Sequence, residues 1–309
     1  MEKTDIMEKT YLLFNPQAGN GKCREEIEAL GRELGGEFVD MTKIDGYADF
    51  FANIEKDARI ILCGGDGTLN RFVNDVRGVE IENPLYLYGV GTGNDFTRDL
   101  GYERAAAPDF EITRYITDLP EVTVNGEKKL FINNVGFGID GYCCEVGDAM
   151  REKNEREHTD KPIDYTAIAI KGLLFGYKPT AATVTVDKET HRFKKVWIAP
   201  TMNGRYYGGG MMPTPSQDRL DPEKRVSLML FHGSGKLKTL MIFPSLFKGE
   251  HLKHKKHIAL LSGREITVEF DEPRPLQIDG ETVLGVKSYT VRSGKKSVSA
   301  DKTAEFAAV

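Results

Sequence analysis

Residues 59–76 read Arg59-Ile60-Ile61-Leu62-Cys63-Gly64-Gly65-Asp66-Gly67-Thr68-Leu69-Asn70-Arg71-Phe72-Val73-Asn74-Asp75-Val76. The stretch to Cys63 is a short apolar run bounded by glycine, the pattern of a buried strand. Leu69, Phe72, Val73 and Val76 follow at helical spacing. Strand, glycine loop and helix in direct succession are half of a β-α-β unit, and that unit implies parallel strands.

The flanking sequence repeats the alternation. Tyr11-Leu12-Leu13-Phe14 is a strand ended by Asn15-Pro16, and Ile27, Leu30 and Leu34 place a helix over 22–35. Phe38-Val39 is a short strand, 47–56 a helix, and 85–90 a further strand. Beyond about residue 120 the texture changes. Val122-Thr123-Val124, Asn125-Gly126 and Leu130-Phe131-Ile132 read as a hairpin on an Asn-Gly turn. Strand-like runs follow at 183–186, 195–198, 226–231, 266–270, 275–278 and 288–291, with one helix over 163–175. The fold class is α/β in two domains, a mostly parallel α/β domain over 1–120 and a larger antiparallel domain over 121–309. The last strand or tail of the second is free to pack back on the first.

Composition narrows the function. The chain has 309 residues, 40% hydrophobic and 29% charged, with a formal net charge of -5. An acidic balance argues against general nucleic-acid binding. No apolar run approaches the roughly 18–20 residues that span a bilayer, and the polar start lacks the apolar core of a signal peptide. The expectation is a cytoplasmic protein. Cys23, Cys63, Cys143 and Cys144 form no metal or disulfide pattern and read as reduced, largely buried thiols. The six histidines have no metal-binding spacing.

Glycines at 64, 65 and 67 let backbone amides approach a phosphate, and the following helix adds its positive end. Asp66 in their midst would repel a phosphate unless a divalent cation lay between them, so the loop reads as a nucleotide triphosphate and magnesium site. The alternative is a tight turn with Asp66 as a helix cap. Two more loops leave strand ends: 15–22, with Asn15, Pro16, Gly19 and a lysine at Lys22, and Gly91-Thr92-Gly93-Asn94-Asp95-Phe96. Asp66 and Asp95 would then end neighbouring strands and share the metal.

These three motifs together resemble the bacterial soluble diacylglycerol kinase family, part of a lipid-kinase group that includes sphingosine kinases. The resemblance continues through Asn134-x-Gly136-x-Gly138, Phe247-Lys248-Gly249-Glu250-His251-x-Lys253-His254 and Gln277-Ile278-Asp279-Gly280-Glu281, in order along nearly the whole chain. It implies a nucleotide-binding domain, a β-sandwich-like second domain and an active site in the cleft between them. It also implies ATP bound by Asn15, Thr42, residues 65–71 (Gly65, Asp66, Gly67, Thr68, Asn70 and Arg71 among them) and Thr92. Asp66 and Asp95 would form the magnesium-and-water network, with Lys22 nearby. Asp279 matches the family's general base, and Glu281 a residue contacting nucleotide or metal. Read alone, Asp279-Gly280 is a hairpin turn.

One stretch departs from the family pattern. The structural magnesium loop is represented by Asp218-Arg219-Leu220-Asp221-Pro222-Glu223-Lys224-Arg225-Val226, without the usual glycine and one residue longer. Asp221 or Glu223 could supply a carboxylate and Arg219 and Arg225 carbonyls; the alternative is a solvated charged loop. Gly136-Phe137-Gly138-Ile139-Asp140-Gly141 fits a dinucleotide fingerprint but falls inside the β half. The basic cluster 253–257 is either a solvated face or a contact with anionic lipid.

The expected activity is ATP- and magnesium-dependent phosphorylation of diacylglycerol or a related lipid; residues 175–177 and 206–212 are candidates for the lipid pocket, with ordinary core the favoured alternative for both. The expected partners are a lipid presented at a membrane, with peripheral contact at its inner face, and a second copy of the chain as a homodimer. NAD kinase, which shares the Gly-Gly-Asp-Gly-Thr loop, and a non-catalytic nucleotide-binding protein are the alternatives.

Overall fold

The computed structural model describes residues 9–16, 24–90, 94–102, 110–159 and 161–294. Its first half is a parallel sheet of β1 (Thr10–Phe14), β2 (Glu37–Asp40), β3 (Arg59–Gly64) and β4 (Leu85–Gly89), in the order β2-β1-β3-β4. α1 (Arg24–Leu34), α2 (Tyr47–Ala52), α3 (Asp66–Asp75), α4 (Asp95–Asp99) and the short α5 (Thr113–Ile116) accompany it. Leu12, Ile61 and Cys63 pack on α1 from one face of the sheet, and Leu13, Ile60 and Leu62 pack with Leu69 and Phe72 of α3 on the other. Strands buried on both faces explain the unbroken apolar run of β3.

The second half is one antiparallel sheet of ten strands. β5 (Glu121–Val124) and β6 (Glu127–Leu130) form the expected hairpin, and Asn125 and Gly126 both adopt positive φ. β7 (Asn134–Gly138) leads directly into α6 (Ile139–Arg156), followed by α7 (Tyr165–Lys171) and a π-helical turn, Gly172–Gly176. Then come β8 (Thr180–Val186), β9 (Glu189–Val196), β10 (Ile198–Met202), β11 (Val226–Phe231) and α8 (Lys236–Ile242). A 3-10 segment, Phe243–Lys248, and the strands β12 (Ile258–Gly263), β13 (Glu265–Ile278) and β14 (Glu281–Arg292) complete the chain.

Val122 of β5 and Leu228 of β11 lie far apart in strand order yet share one apolar core. The sheet is therefore folded over on itself, its inner faces packed as in a sandwich. The two strands expected at 266–270 and 275–278 are one strand, β13, carrying register shifts around Pro273 and Pro275. At this bulge β13 changes neighbours: residues 266–270 pair with β8 and residues 276–278 with β7. Proline is tolerated there because the bulge leaves ladder positions without a required donor. Among the described residues no helix is long and apolar enough to cross a membrane.

Candidate active site

A cavity of about 560 Å³ opens where the two halves meet. Asp66, Gly67 and Asp95 line it from the parallel half, and Asn133, Asn134, Asp140, Gln277 and Asp279 from the antiparallel half. Ile139, Cys143, Ala169, Met211, Phe243 and Phe247 supply an apolar side. A lining that combines polar and apolar groups suits an amphipathic ligand.

Asp66 opens α3, with Gly65 as N-cap. A Cβ at Gly64 would stand 2.3 Å from the Thr68 hydroxyl, so glycine is needed there to let the first turn of α3 close onto β3. Gly67 faces open space along the cavity. The Asp66 carboxylate accepts from the backbone N–H of Asp95 (2.8 Å) and of Phe96 (3.2 Å), and so ties α3 to the start of α4. Asp95 in turn accepts from the Gly209 N–H (2.7 Å) and from Arg98 Nη1 (3.3 Å). Burial pushes the Asp66 carboxyl up to about 7, reinforced by the neighbouring charges of Asp95 and Asp279. Burial also raises Asp95, against the pull of the Gly209 amide and Arg98.

Asp279 and Gly280 form the two-residue turn between β13 and β14, with φ of 46° and 90°. Turn and functional site coincide here. The Asp279 side chain is directed into three successive backbone N–H groups: Oδ2 accepts from Ile132 (2.6 Å), and Oδ1 from Asn133 (2.8 Å) and Asn134 (2.9 Å). Asn70 Nδ2, from α3, adds a fourth donor to Oδ2 at 2.6 Å. Burial raises the Asp279 carboxyl, and the three amides and Asn70 oppose it.

Other expected site residues lie elsewhere. Thr42 donates its hydroxyl to Asp40 Oδ1 (2.6 Å) at a 3-10 turn after β2, Arg71 pairs with Asp75 along α3, and Glu281 is exposed and pairs with Lys129. Asn15 and Pro16 follow β1. Gly19, Lys22 and Thr92 fall outside the described residues, as does Cys23. Asp221 spends its oxygens on its own loop, accepting from the Glu223 and Arg225 N–H groups and from Arg225 Nε (2.9 Å). Arg219 acts there through its guanidinium, which bonds Asp99 and Asn133 at 2.5 Å and the Ile132 carbonyl. Of the two apolar stretches, Tyr207 and Met211 line the cavity, while Phe175 is 81% exposed and Tyr177 is buried against Trp197.

Sequence reasoning missed Asp140 as a site residue. It lies in the first turn of α6, buried, with Oδ1 unpartnered and Oδ2 only 3.5 Å from Gln277 Nε2. Asn134 Nδ2 and Tyr207 Oη are also buried without partners, and all three residues line the cavity. The signal was the strand-glycine-helix pattern at 134–141, set aside as a dinucleotide decoy. The pattern is real, but β7 pairs antiparallel with β10 and β13, so no Rossmann unit exists.

A helix N-terminus between glycines with Asp66, Asp95 and Asp279 beside it, on this two-sheet frame, holds the parts that phosphoryl transfer uses. Comparison with known proteins agrees. The family model described as diacylglycerol kinase catalytic domain matches residues 9–120, and that described as YegS C-terminal NAD kinase beta sandwich-like domain matches residues 133–294. "Putative lipid kinase YtlR" of Bacillus subtilis is 25% identical over 307 residues, covering 93% of this chain and 97% of its own. A diacylglycerol kinase of Mycobacterium tuberculosis is 25% identical over 258 residues, covering 79% and 80%. A solved "putative diacylglycerol kinase from Bacillus anthracis str. Sterne" shares the fold at a TM-score of 0.63 and 20% identity, over 93% of each chain. The chain belongs to the diacylglycerol kinase catalytic-domain family of kinases, with the YegS-type second domain.

Proposed function

We propose that this kinase transfers the γ-phosphoryl group of ATP to the hydroxyl of diacylglycerol or a closely related lipid, with magnesium. The observation that carries this is one cavity joining a glycine-flanked helix N-terminus, four aspartates and apolar side chains. The phosphates lie at the start of α3, where Gly65 and Gly67 leave the backbone accessible and the helix end favours anions. The acyl chains take the side lined by Met211, Phe243 and Phe247.

Asp66 and Asp95 fit a hydrated divalent cation. Their direct bonds go to amides and to Arg98, and burial together with the Asp95 charge lifts Asp66, a cost that a cation would offset. Magnesium retains several of its waters when bound by one or two carboxylates, so contact through water suits this pair. When bound, magnesium neutralises charge on the phosphates.

Asp279 accepts the lipid hydroxyl proton as that oxygen bonds the γ-phosphorus and the bond to the β-γ bridging oxygen breaks, releasing ADP. All four acceptor directions of Asp279 are filled, so one donor must give way to the hydroxyl. Asn70 is the side-chain donor among them and the one able to rotate aside. Burial raises the Asp279 carboxyl despite its four donors, and positioning rather than base strength carries most of the rate.

The test is transfer of labelled γ-phosphate from ATP and magnesium to diacylglycerol, sphingosine, phosphatidylglycerol and NAD, each offered separately. Labelled diacylglycerol is expected. Labelled NAD alone would overturn the lipid assignment, and ATP binding with no product would support a non-catalytic binder.

A further inference from the structure

Ten large apolar side chains among the described residues are exposed, and six of them fall in two short segments: Tyr165, Ile170 and Phe175, and Leu237, Met241 and Phe247. The three most exposed, Phe175 at 81%, Met241 at 75% and Leu237 at 74%, belong to this set. The first segment is α7 with its π-turn, and the second is α8 with the 3-10 segment after it. The two are joined, since Lys236 Nζ donates to the Leu174 carbonyl at 2.8 Å. Scattered exposed leucines need no explanation, but a contiguous set of aromatic and aliphatic tips does.

Charge on the same segments is one-sided. Residues 165–178 and 233–249 contain Lys171, Lys178, Lys236, Lys238 and Lys248 and no aspartate or glutamate, in a chain whose net charge is -5. All five lysines are exposed, and none forms an ion pair with a described residue. Apolar tips on segments whose lysines form no ion pair with a described residue complement a bilayer with anionic headgroups. The inner edges of the same segments, Ala169 of α7 and Phe243 and Phe247 after α8, line the cavity. The exposed face is thus continuous with the wall assigned to the acyl chains.

We infer that the face formed by 165–178 and 236–248 docks on an anionic lipid bilayer, seating the cavity mouth against the membrane from which the acceptor is drawn. The inference rests on the lipid-kinase assignment for its purpose, though not for its physical basis. It moves the docking surface away from the basic cluster at 253–257. There Lys253 is paired with Glu250, and no large apolar side chain is exposed.

The full-length protein is sedimented with phosphatidylcholine vesicles, with and without phosphatidylglycerol, in the absence of nucleotide. Wild type is expected to sediment with the anionic vesicles and to release at high salt. Phe175→Glu and Met241→Glu should each weaken binding about tenfold or more, and Lys171→Glu and Lys238→Glu about fivefold. All four should keep the wild-type melting temperature, and the wild-type rate on a water-dispersed short-chain diacylglycerol. Failure of wild type to sediment, or variants that sediment like wild type, would overturn the surface. So would a change confined to dimerisation, seen by light scattering. Docking needs no turnover. A protein that docks through this face yet phosphorylates no lipid would keep the surface and lose the lipid-kinase assignment, and one that phosphorylates dispersed lipid but ignores vesicles would do the reverse.

Discussion

One substitution separates the structural hold of Asp279 from its proposed role as base. As an acceptor for three backbone amides and Asn70 it fixes the 132–134 segment against α3. Asp279→Asn keeps the size but places an NH2 group against N–H donors, so a loss of about 2–4 kcal/mol is expected in urea unfolding. If Asp279 is also the base, turnover should fall at least a hundredfold beyond what the folded fraction explains, with ATP affinity largely kept. A rate tracking the folded fraction alone would leave it a purely structural residue. Asp140 offers a cleaner titration. Burial pushes its carboxyl up to about 7, so the folded chain holds this proton more tightly than the unfolded chain, where the value is near ~4. Stability from this group is therefore full below pH ~4 and declines as pH rises through about 7, by something on the order of 4 kcal/mol. Asp140→Asn should flatten that decline and leave the protein more stable than wild type above neutrality, as followed by chemical denaturation across pH. An unchanged slope would mean that water or ligand already solvates the carboxylate.

At the scale of elements, the contact between β3 and α3 decides whether the 64–67 loop keeps its shape. Gly64→Ala puts a methyl 2.3 Å from the Thr68 hydroxyl and must tilt the first turn of α3. The expected cost is about 1–3 kcal/mol in stability and a tenfold or greater loss of ATP affinity by calorimetry, while Gly67→Ala, facing open space, should fold normally. The same region shows what a sequence exposes and what it conceals. β3 and α3 were legible because both faces of the strand and one face of the helix are buried, which leaves apolar runs with clear periods. α6 was not, although it has eighteen residues. Its apolar stripe, Ile139, Tyr142, Cys143 and Val146, covers only the first two turns and is broken by Asp140 and Gly141, and the rest of the helix is solvated, so the period is too short to mark eighteen residues. β9 and β12 escaped for a related reason: β9 shows alternating exposed charge, and β12 only partial burial. In the site, Asp66, Asp95 and Asp279 could be named from their motifs. That Asp66 and Asp279 are already hydrogen-bonded to backbone amides depends on the meeting of distant loops, which no linear pattern records.

Across the whole molecule, the seam between the halves is held by Asp99 of α4. It accepts from Arg205 Nε at 2.6 Å and from Arg219 Nε at 2.5 Å, and the Arg205 guanidinium also reaches the Asp99 carbonyl. The Arg219 side chain is 2% exposed and that of Asp99 4%, and the Arg219 guanidinium lies over the Phe96 ring, 4.7 Å from its centroid. Buried ions held this way contribute little net stability against an apolar replacement, yet removing one partner strands the other. Arg219→Met should therefore destabilise by about 3–5 kcal/mol. Asp99→Asn with Arg219→Met should cost less than the sum of the single changes, because the stranded charge is gone. The seam also reaches the candidate site: α4 supplies the amides of Asp95 and Phe96 to Asp66. Displacing α4 should release Asp66 and weaken magnesium dependence before the sheets unfold. In Arg219→Met, activity should thus be lost at lower urea than far-ultraviolet ellipticity. Coincident loss of both would show that the halves unfold as one unit and that Asp99 has no separate hold on the site.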